Sequence, residues 1–310
     1  MESHSSKLDP LLKSAYWIAG PTASGKSQLA IRLAEKINAE IVSVDSMQVY
    51  RGMDIGTAKP TPEELARIPH HMIDVAEIHE SFDASRFRKK ALQAAINIEN
   101  RGNKIIFCGG TGLYFQALIH GIGNGPPSDP EVRQDLESES IEQLIIELKE
   151  RDPQTASTID LQNKRRLVRA LEVVRLTDKS FTSFKSDWKN NTIVDASRFW
   201  MLEQPTQTLR KRIDKRVDTM IESGWINETR QLVLQGLMTN STASQAIGYR
   251  QIIDYLNGKE PLESTIQLIK TKTCQYAKRQ RTWFRHQIQS RPINMEIDQP
   301  DDAIRAWLNA

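Results

Sequence analysis

The chain has 310 residues, of which 39% are hydrophobic and 26% are charged, so it can bury a core and lacks the composition of a disordered protein. Its two cysteines, Cys108 and Cys274, lie far apart in sequence, which excludes a disulfide framework and a cysteine-based metal site. No apolar run approaches the length of a membrane span, and the polar residues 1–10 indicate an unstructured tail rather than a signal peptide. We therefore expect a cytoplasmic protein with no membrane partner.

The basic residues are unevenly distributed, although the formal net charge is only +3. Residues 264–291 contain seven Lys or Arg and no Asp or Glu, and further basic groups lie at 164–169 and 210–216. A one-sided distribution of this kind attracts a polyphosphate backbone. Each cluster taken alone is equally consistent with a solvated helix face.

Residues 20–27, GPTASGKS, match the phosphate-binding pattern G-x-x-x-x-G-K-[ST] at every fixed position. A short apolar run precedes them and an amphipathic pattern follows, which gives the strand–loop–helix context that the pattern requires. The loop glycines let backbone N–H groups turn inward, and the next helix presents its positive end to an anion. The loop is therefore predicted to bind a phosphate chain through Gly20, Pro21, Thr22, Ala23, Ser24, Gly25, Lys26 and Ser27. The Ser27 hydroxyl is the predicted protein ligand of a Mg²⁺ ion.

Strands and helices are predicted to alternate over the first 120 residues. A β-branched run at 41–44 ends on Asp45 and leads into a polar, glycine-rich stretch at 45–60; a short strand is possible at 72–75. Asp83 or Ser81 is expected to cap a helix over 84–100, and a strand over 104–108 runs into Gly109-Gly110-Thr111. This alternation predicts an α/β fold, a P-loop NTPase-like parallel sheet flanked by helices, with its ligand at the carboxyl ends of the strands.

A glycine- and proline-rich linker at 121–130 marks the clearest boundary in the chain. The residues after it are charged and helical in pattern, which predicts an inserted all-helical domain at 121–189, with the catalytic core formed by 1–120 and 190–310. A strand is expected to return at 198–202. Helices are then predicted at 206–223, 227–235, 249–257 and 262–289, the last of which carries the basic run.

Asp45 is the acidic residue placed to face the loop, because it ends the strand directly after the P-loop helix. The strand at 104–108 ends without an acid, unlike the second metal-binding strand of an ordinary P-loop ATPase. Asp45 is either a metal-associated carboxylate, as in P-loop kinases for small molecules, or a base acting on a second substrate. Spacing alone leaves both interpretations open.

Longer motifs extend from about residue 16 to residue 286. They are residues 20–27, Asp45-Ser46 leading to Tyr50, GMDIGTAKP at 52–60, Pro69-His70, GGT at 109–111 with LYF at 113–115, RRLVRALE at 165–172, GYRQ at 248–251 and AKRQRTWFR at 277–285. On these motifs, of which 52–60 is the most specific, the chain resembles the tRNA dimethylallyltransferase (tRNA isopentenyltransferase) family. The zinc finger of eukaryotic relatives does not occur in the sequence, so we expect the bacterial form.

The resemblance implies transfer of a dimethylallyl group from dimethylallyl diphosphate to N6 of adenine-37, beside the tRNA anticodon. In that family the P-loop, although usually called ATP-binding, holds the donor's diphosphate. Asp45 matches the base, and Thr111 matches a threonine that touches the target nucleotide, although it could be only a helix N-cap. Lys26 is expected to stabilise the leaving diphosphate. Arg230 is a candidate second clamp, or simply a surface arginine.

The resemblance also implies contacts with tRNA, the expected macromolecular partner. They are expected at Asp45, Ser46, Met47, Gln48, Thr111, Arg133, Arg165, Arg166, Leu167, Val168, Arg169, Gln245, Ala246, Ile247, Gly248, Tyr249, Arg250, Lys278, Arg279, Gln280, Arg281, Thr282, Trp283, Phe284 and Arg285. The insert, which contains Arg133, is the region least similar to the family. Trp283 and Phe284 could stack on bases or, as aromatic residues at helical spacing, belong to the core.

Three other functions remain open at this point. They are a P-loop kinase for a small metabolite with Asp45 on Mg²⁺, prenylation of free adenine nucleotides, and a non-catalytic RNA-binding NTPase switch. The basic C-terminal helix argues against the second, because a mononucleotide needs no such surface, and the lack of an acid after Cys108 argues against the third. We expect a monomer.

Overall fold

The computed structural model describes residues 2–184, 194–288, 290–294 and 300–308, and a parallel sheet of six strands lies at its centre. The strands follow the order β3-β2-β4-β1-β5-β6, and every pair is parallel. Their bounds are β1 (Tyr16–Ala19), β2 (Ala39–Val44), β3 (His70–His71), β4 (Lys104–Gly109), β5 (Phe199–Glu203) and β6 (Arg291–Asn294). The predicted fold class is confirmed.

Helices connect the strands and follow them in the second half of the chain. They are α1 (Glu2–Ser14), α2 (Lys26–Ile37), α3 (Pro62–Arg67), α4 (Ala84–Asn100), α5 (Gly112–His120), α6 (Pro130–Ser138), α7 (Ile141–Arg151), α8 (Pro153–Ala156), α9 (Lys164–Thr177), α10 (Thr206–Glu222), α11 (Trp225–Leu234), α12 (Tyr249–Leu256), α13 (Leu262–Gln287) and α14 (Pro300–Leu308). Within the described residues, no helix has the length and apolarity needed to cross a membrane.

Both faces of the sheet are buried, because successive side chains of a strand point to opposite faces. On one face Trp17 stacks on Phe107 with ring centroids 4.4 Å apart, and Phe199 lies 6.1 Å from Trp17. On the other face Trp200 stacks on Trp307 of α14 at 3.9 Å. Truncating a core aromatic residue of this kind typically costs about 3–5 kcal/mol of stability.

The N-terminal residues form a helix, so the expectation of an unstructured tail over 1–10 is wrong for the described residues. Leu8, Leu11 and Leu12 have the spacing that gives a helix one apolar face. Leu11 and Leu12 are fully buried in the main core. Packing against the sheet therefore orders a segment whose local sequence is polar.

The chain divides into two compact units, one formed by Met1–Ile119 with Thr192–Ala310 and the other by His120–Asn191. The first contains the sheet. The described residues of the second are helical, with α6 to α9 around a small apolar core that includes Leu136, Leu144 and Leu171.

Candidate active site

The P-loop joins β1 to α2 and is held by two glutamine side chains from distant parts of the core unit. Gln280 of α13 accepts the Thr22 N–H through Oε1 at 2.9 Å, and Gln204 donates from Nε2 to the Ser24 carbonyl at 3.3 Å. Gly25 has φ 98°, a left-handed value that favours glycine, and α2 begins at the next residue. The buried Ser24 hydroxyl has no hydrogen-bond partner, which leaves a polar group in the loop unpaired.

Lys26 and Arg216 bring two positive charges to the loop. Burial lowers the pKa of Lys26; Cys108 and Asp45 oppose that shift, while Arg216 adds to it. Burial also lowers the pKa of Arg216, again opposed by Asp45. Two desolvated cations beside one carboxylate form a site that gains from binding a further anion, because each cation lacks the solvation it would have in water. The Lys26 ammonium meanwhile donates to the Pro21 carbonyl at 3.3 Å.

Arg216, whose charge acts on Lys26, is thus a better candidate for a second clamp than Arg230, for which that role stays a prediction. Arg230 is an exposed residue of α11, and its guanidinium is 3.4 Å from the side chain of Asn227. No hydrogen bond or ion pair joins Arg230 to the P-loop among the described residues. Arg216 lies on α10 within the basic run at 210–216, so the charge pattern contained the signal but could not select the inward-facing residue.

Asp45 and Thr111 meet at the carboxyl ends of β2 and β4. Asp45 Oδ1 accepts the N–H groups of Met47 at 2.8 Å and Gln48 at 3.2 Å, which fixes the carboxylate in a tight turn. Oδ2 accepts no hydrogen bond within the described part of the chain. Thr111 Oγ1 accepts the Ser46 N–H at 3.0 Å, so its hydroxyl bridges the two strand ends and does not cap α5.

Tyr276 of α13 also reaches this site, and sequence reasoning missed it. Burial and the charge of Asp45 raise the pKa of its phenol to about 12, while hydrogen bonding to Thr111 and Gln280 opposes the shift. Its spacing from Gln280 and Trp283 places the three on one face of a helix, a signal that was available in the sequence.

Glu228 of α11 holds the 52–60 block, the most specific of the matching motifs. Its carboxylate accepts the backbone N–H groups of Asp54, Ile55 and Gly56 at 3.0, 2.7 and 3.3 Å, and the Tyr249 hydroxyl donates to it at 2.6 Å. A Cβ at Gly56 would overlap the indole of Trp225, so only glycine fits there. The motif is thus a loop locked in one conformation.

A second anchor of the same loop is Lys59. Its ammonium is buried and donates to the Tyr50 carbonyl at 2.7 Å, to Asp54 at 2.6 Å and to Asp74 at 2.5 Å. A buried ammonium is tolerated only when its charge and its donors are satisfied.

A cavity of about 880 Å³ lies between this locked loop and α10. Its lining is mostly apolar and includes Ala23 of the P-loop, Ile55 and Met220, with the basic side chains of Lys215 and Arg216 on one side. The cavity therefore offers apolar space next to a phosphate-binding cradle.

The structure divides the predicted RNA contacts on α13 into two groups. The first group reaches the surface: Lys278, Arg279 and Thr282 are exposed, and Trp283 is half-buried. Two further arginines of this group have partners within the protein. Arg281 donates to the Thr206 hydroxyl at 3.2 Å, and Arg285 forms an ion pair with Glu203 at 2.8 and 3.0 Å. Gln280 and Phe284 are buried, and Phe284 packs edge-on against Phe115 with centroids 5.4 Å apart. The Phe284 ring therefore belongs to the core, which is the second of the two alternatives that the sequence left open.

The remaining predicted RNA contacts divide in the same way. Gln245, Arg165 and Arg166 are exposed, while Ser46, Met47, Gln48, Ile247 and Arg250 are half-buried. The side chains of Leu167, Val168, Ala246 and Tyr249 are buried, and Gly248 is buried too. The side chains of Leu167, Val168, Ala246 and Tyr249 thus pack inside the protein, and contact of these five residues with RNA stays a prediction.

In the second unit, Arg133 and Arg169 share one buried acid. Both donate to Glu172 Oε2, at 2.9 and 2.6 Å, and Ser128 donates to Oε1 at 2.7 Å. Burial alone would raise the pKa of Glu172, but Arg169, Ser128 and Arg133 outweigh it and hold that pKa below its usual range. The positive charges of Arg133 and Arg169 are thus partly neutralised by Glu172 within the unit.

No group of three or more His, Cys, Asp or Glu side chains in the described ranges could hold a metal ion. A Mg²⁺ ion that takes most of its ligands from phosphate and water needs only one or two protein oxygens. The exposed Ser27 hydroxyl at the start of α2 fits that limited role.

A P-loop at the carboxyl ends of a parallel sheet, opposed by a fixed carboxylate and flanked by a half-buried arginine, defines an enzyme of the P-loop class that acts on a phosphorylated substrate. The model of the IPP transferase family matches residues 48–287. A tRNA dimethylallyltransferase of Protochlamydia amoebophila is 46% identical over 92% of this chain and 85% of its own length. One from Citrifermentans bemidjiense is 44% identical over 86% of this chain and 87% of its own.

Solved structures agree with these matches. The tRNA isopentenylpyrophosphate transferase of Bacillus halodurans superimposes with a TM-score of 0.70 at 38% identity, covering 96% of this chain and 95% of that one. A eukaryotic dimethylallyltransferase acting on tRNA gives a TM-score of 0.76 at 29% identity, over 95% of this chain and 77% of that one. The chain belongs to the IPP transferase family, and the resemblance found in the motifs is confirmed.

Proposed function

We propose that this chain transfers a dimethylallyl group from dimethylallyl diphosphate to N6 of adenine-37 in tRNA. The observation that carries the proposal is that Asp45, fixed after β2, lies close enough to Lys26 and Arg216 for its charge to act on both cations. A carboxylate in that position can take a proton from an acceptor while the two cations receive a departing diphosphate. The names of the matching relatives support this reaction.

On the donor side, the P-loop N–H groups, Lys26 and Arg216 bind the diphosphate. Negative charge grows on the bridging oxygen as the allylic C–O bond breaks, and fixed donors aimed at that charge lower the barrier. The apolar cavity beside Ala23 suits a five-carbon hydrocarbon chain. A Mg²⁺ held through Ser27 would supply further neutralisation of the leaving group when bound.

On the acceptor side, Asp45 acts as the general base. The N6 amine of adenine is a poor nucleophile, so its proton must leave as the N–C bond forms. The proton passes to Asp45, the allylic carbon passes to N6, and the diphosphate departs with the electron pair of the C–O bond. Oδ1 is held by two backbone N–H groups, which leaves Oδ2 to accept the proton. Thr111, fixed on Ser46, borders the place of the base.

The exposed basic residues of α13 provide the RNA-binding surface. Lys278 and Arg279 extend from the helix that also carries Tyr276 and Gln280 to the site. An adenine in a stacked loop must be flipped out to reach Asp45, which costs a few kcal/mol that phosphate contacts offset. The protein acts as a monomer in this proposal.

Label transfer tests the proposal. The purified protein is incubated with Mg²⁺, radiolabelled dimethylallyl diphosphate and unmodified tRNA carrying A36-A37-A38, with ATP and a small-metabolite mixture in a parallel tube. We expect label in the tRNA, and its loss when A37 is replaced by G37. Turnover of ATP without label in the tRNA would contradict the proposal and favour a P-loop kinase.

A further inference from the structure

Gln280 joins the two halves of the active site through one side chain. Its Oε1 accepts the Thr22 N–H of the P-loop at 2.9 Å, and its Nε2 donates to the Gly110 carbonyl at 2.8 Å. The residue is 7% exposed; its bond to Gly110 is buried and its bond to Thr22 is partly buried, so both are at least partly shielded from competing water. One amide therefore spans the donor cradle and the residue that precedes Thr111.

The atoms around this bridge are closely packed. A Cβ at Gly110 would overlap the Gln280 amide, so the α13 side chain lies directly on the strand-end backbone. Tyr276, one turn earlier, lies on the same face of α13 as Gln280. A displacement of α13 in this region must therefore move the Thr22 amide and the Gly110–Thr111 segment together.

The same helix presents exposed positive charge only a residue or two away. Lys278 and Arg279 are exposed on α13, while Gln280 is buried beneath them. A polyanion bound to the outer face of α13 thus acts on the helix that holds the inner bridge. We propose that Gln280 is a positioning residue that couples diphosphate binding in the P-loop to RNA binding at Thr111, an inference that rests on the proposed function.

The chemistry of the bridge requires an amide. Glutamine accepts a hydrogen bond with one atom and donates with the other, which matches the Thr22 N–H and the Gly110 carbonyl. Glutamate can accept from Thr22, but its ionised form has no hydrogen to donate to Gly110 and adds negative charge beside the diphosphate. Leucine makes neither bond. Replacing Gln280 by glutamate therefore removes the bond to Gly110, and replacing it by leucine removes both bonds.

The test measures binding coupling without chemistry. The Kd of a fluorescent anticodon stem-loop RNA is measured by anisotropy with and without saturating inorganic pyrophosphate and Mg²⁺. Because coupling is reciprocal, the Kd of pyrophosphate is measured with and without RNA. For the unaltered protein we expect each ligand to tighten the other by at least about fivefold, the lower end of typical coupling.

Two variants and a matched control separate positioning from mere stabilisation. Q280L should bring both ratios close to one, and Q280E should lower both and also weaken pyrophosphate binding in the absence of RNA. Q275L makes the same change at an exposed position of α13 and should keep the ratios of the unaltered protein. Thermal unfolding of each variant identifies those that are folded. If Q280L is not folded, Q280E carries the test, because glutamate is nearly the same size as glutamine.

Three outcomes would overturn the inference or what it rests on. An unaltered protein that binds RNA and pyrophosphate independently has no coupling to explain. A folded Q280L, or Q280E, that keeps the full ratio would assign the coupling elsewhere. Failure of the unaltered protein to bind the stem-loop at all would contradict the proposed function itself.

Discussion

The Thr111 hydroxyl accepts the backbone N–H of Ser46 at 3.0 Å and thereby joins the ends of two neighbouring strands. That bond fixes the residue directly after Asp45, whose own Oδ1 is fixed by Met47 and Gln48. A general base gains from such restraint, because proton transfer depends on its placement within hydrogen-bond reach. Backbone N–H groups thus fix Asp45 and Thr111 on the acceptor side of the site, whereas the charges of Lys26 and Arg216 define the donor side.

Arg216→Gln should remove one of the two cations that receive the diphosphate. Loss of one charge-stabilising donor in a preorganised site typically costs about 10²–10³-fold in rate. We expect a fall of that order in kcat/KM for the prenyl donor, measured in steady state with saturating RNA. The matched change Arg230→Gln should alter it less than about twofold, since that residue is exposed. Equal losses in the two variants would restore Arg230 as the clamp.

Glu228→Ala should destabilise the core unit. The substitution strips three backbone N–H groups and the Tyr249 hydroxyl of their acceptor. An unsatisfied buried donor costs about 1–3 kcal/mol, but Asp54 is exposed and Ile55 and Gly56 are half-buried, so water recovers part of the cost at each of these N–H groups. We expect the free energy of unfolding in urea to fall by about 2–4 kcal/mol. Glu222→Ala, at an exposed position, is the control and should change it by less than about 0.5 kcal/mol.

Neutralising Lys278 and Arg279 together should weaken RNA binding and flatten its salt dependence. Each lost phosphate contact lowers the slope of log K against log salt by about one. The slope is measured by anisotropy with the stem-loop over a range of KCl. Replacing Lys89 and Lys90, exposed basic residues of α4, by glutamine should leave it unchanged. An unaltered slope in the α13 variant would place the RNA surface elsewhere.

Glu40 of β2 should make stability depend on acid pH. Burial on its own would raise its pKa, but hydrogen bonds from Arg101, Asn103 and His71 lower it from the model-peptide value of 4.5 to about 2. A carboxyl whose folded pKa is depressed stabilises the fold above its unfolded pKa, and this stabilisation disappears as pH falls towards the folded pKa.

The variant Glu40→Gln should therefore be less stable than the unaltered protein at pH 7. The difference should shrink as the pH is lowered from about 4.5 towards 2. Urea unfolding at several pH values measures it. If the difference in unfolding free energy between the two proteins stays constant from pH 4.5 to 2, the charge of Glu40 does not contribute to stability.

Local sequence was sufficient wherever neighbours along the chain define the geometry. The helix predicted at 84–100 is observed at Ala84–Asn100, and Asp83 caps it by accepting the Arg86 N–H at 2.8 Å. The strand expected at 198–202 is observed one residue later. The short strand expected at 72–75 is instead at His70–His71, because Met72 and Asp74 adopt positive φ angles that end it.

Sequence was insufficient where residues meet across the fold. Arg216, Tyr276 and Glu228 each reach the site or its walls from a helix far away in the chain. A helix pattern shows that some residues face inward, but it does not specify which cation meets the P-loop. Likewise, Gln280 and Phe284 lie in a motif that reads as basic and aromatic, yet packing buries them.

The most direct test of the account replaces Asp45 by asparagine and measures prenyl transfer to tRNA under single-turnover conditions. Asparagine keeps an Oδ1 acceptor for Met47 and Gln48 but cannot take a proton, so geometry is retained while the base is lost. We predict a fall in rate of about 10²–10⁴-fold with the RNA Kd unchanged, whereas Asp9→Asn, at an exposed position, retains full activity. Full activity in the Asp45→Asn variant would contradict the central claim that Asp45 is the base.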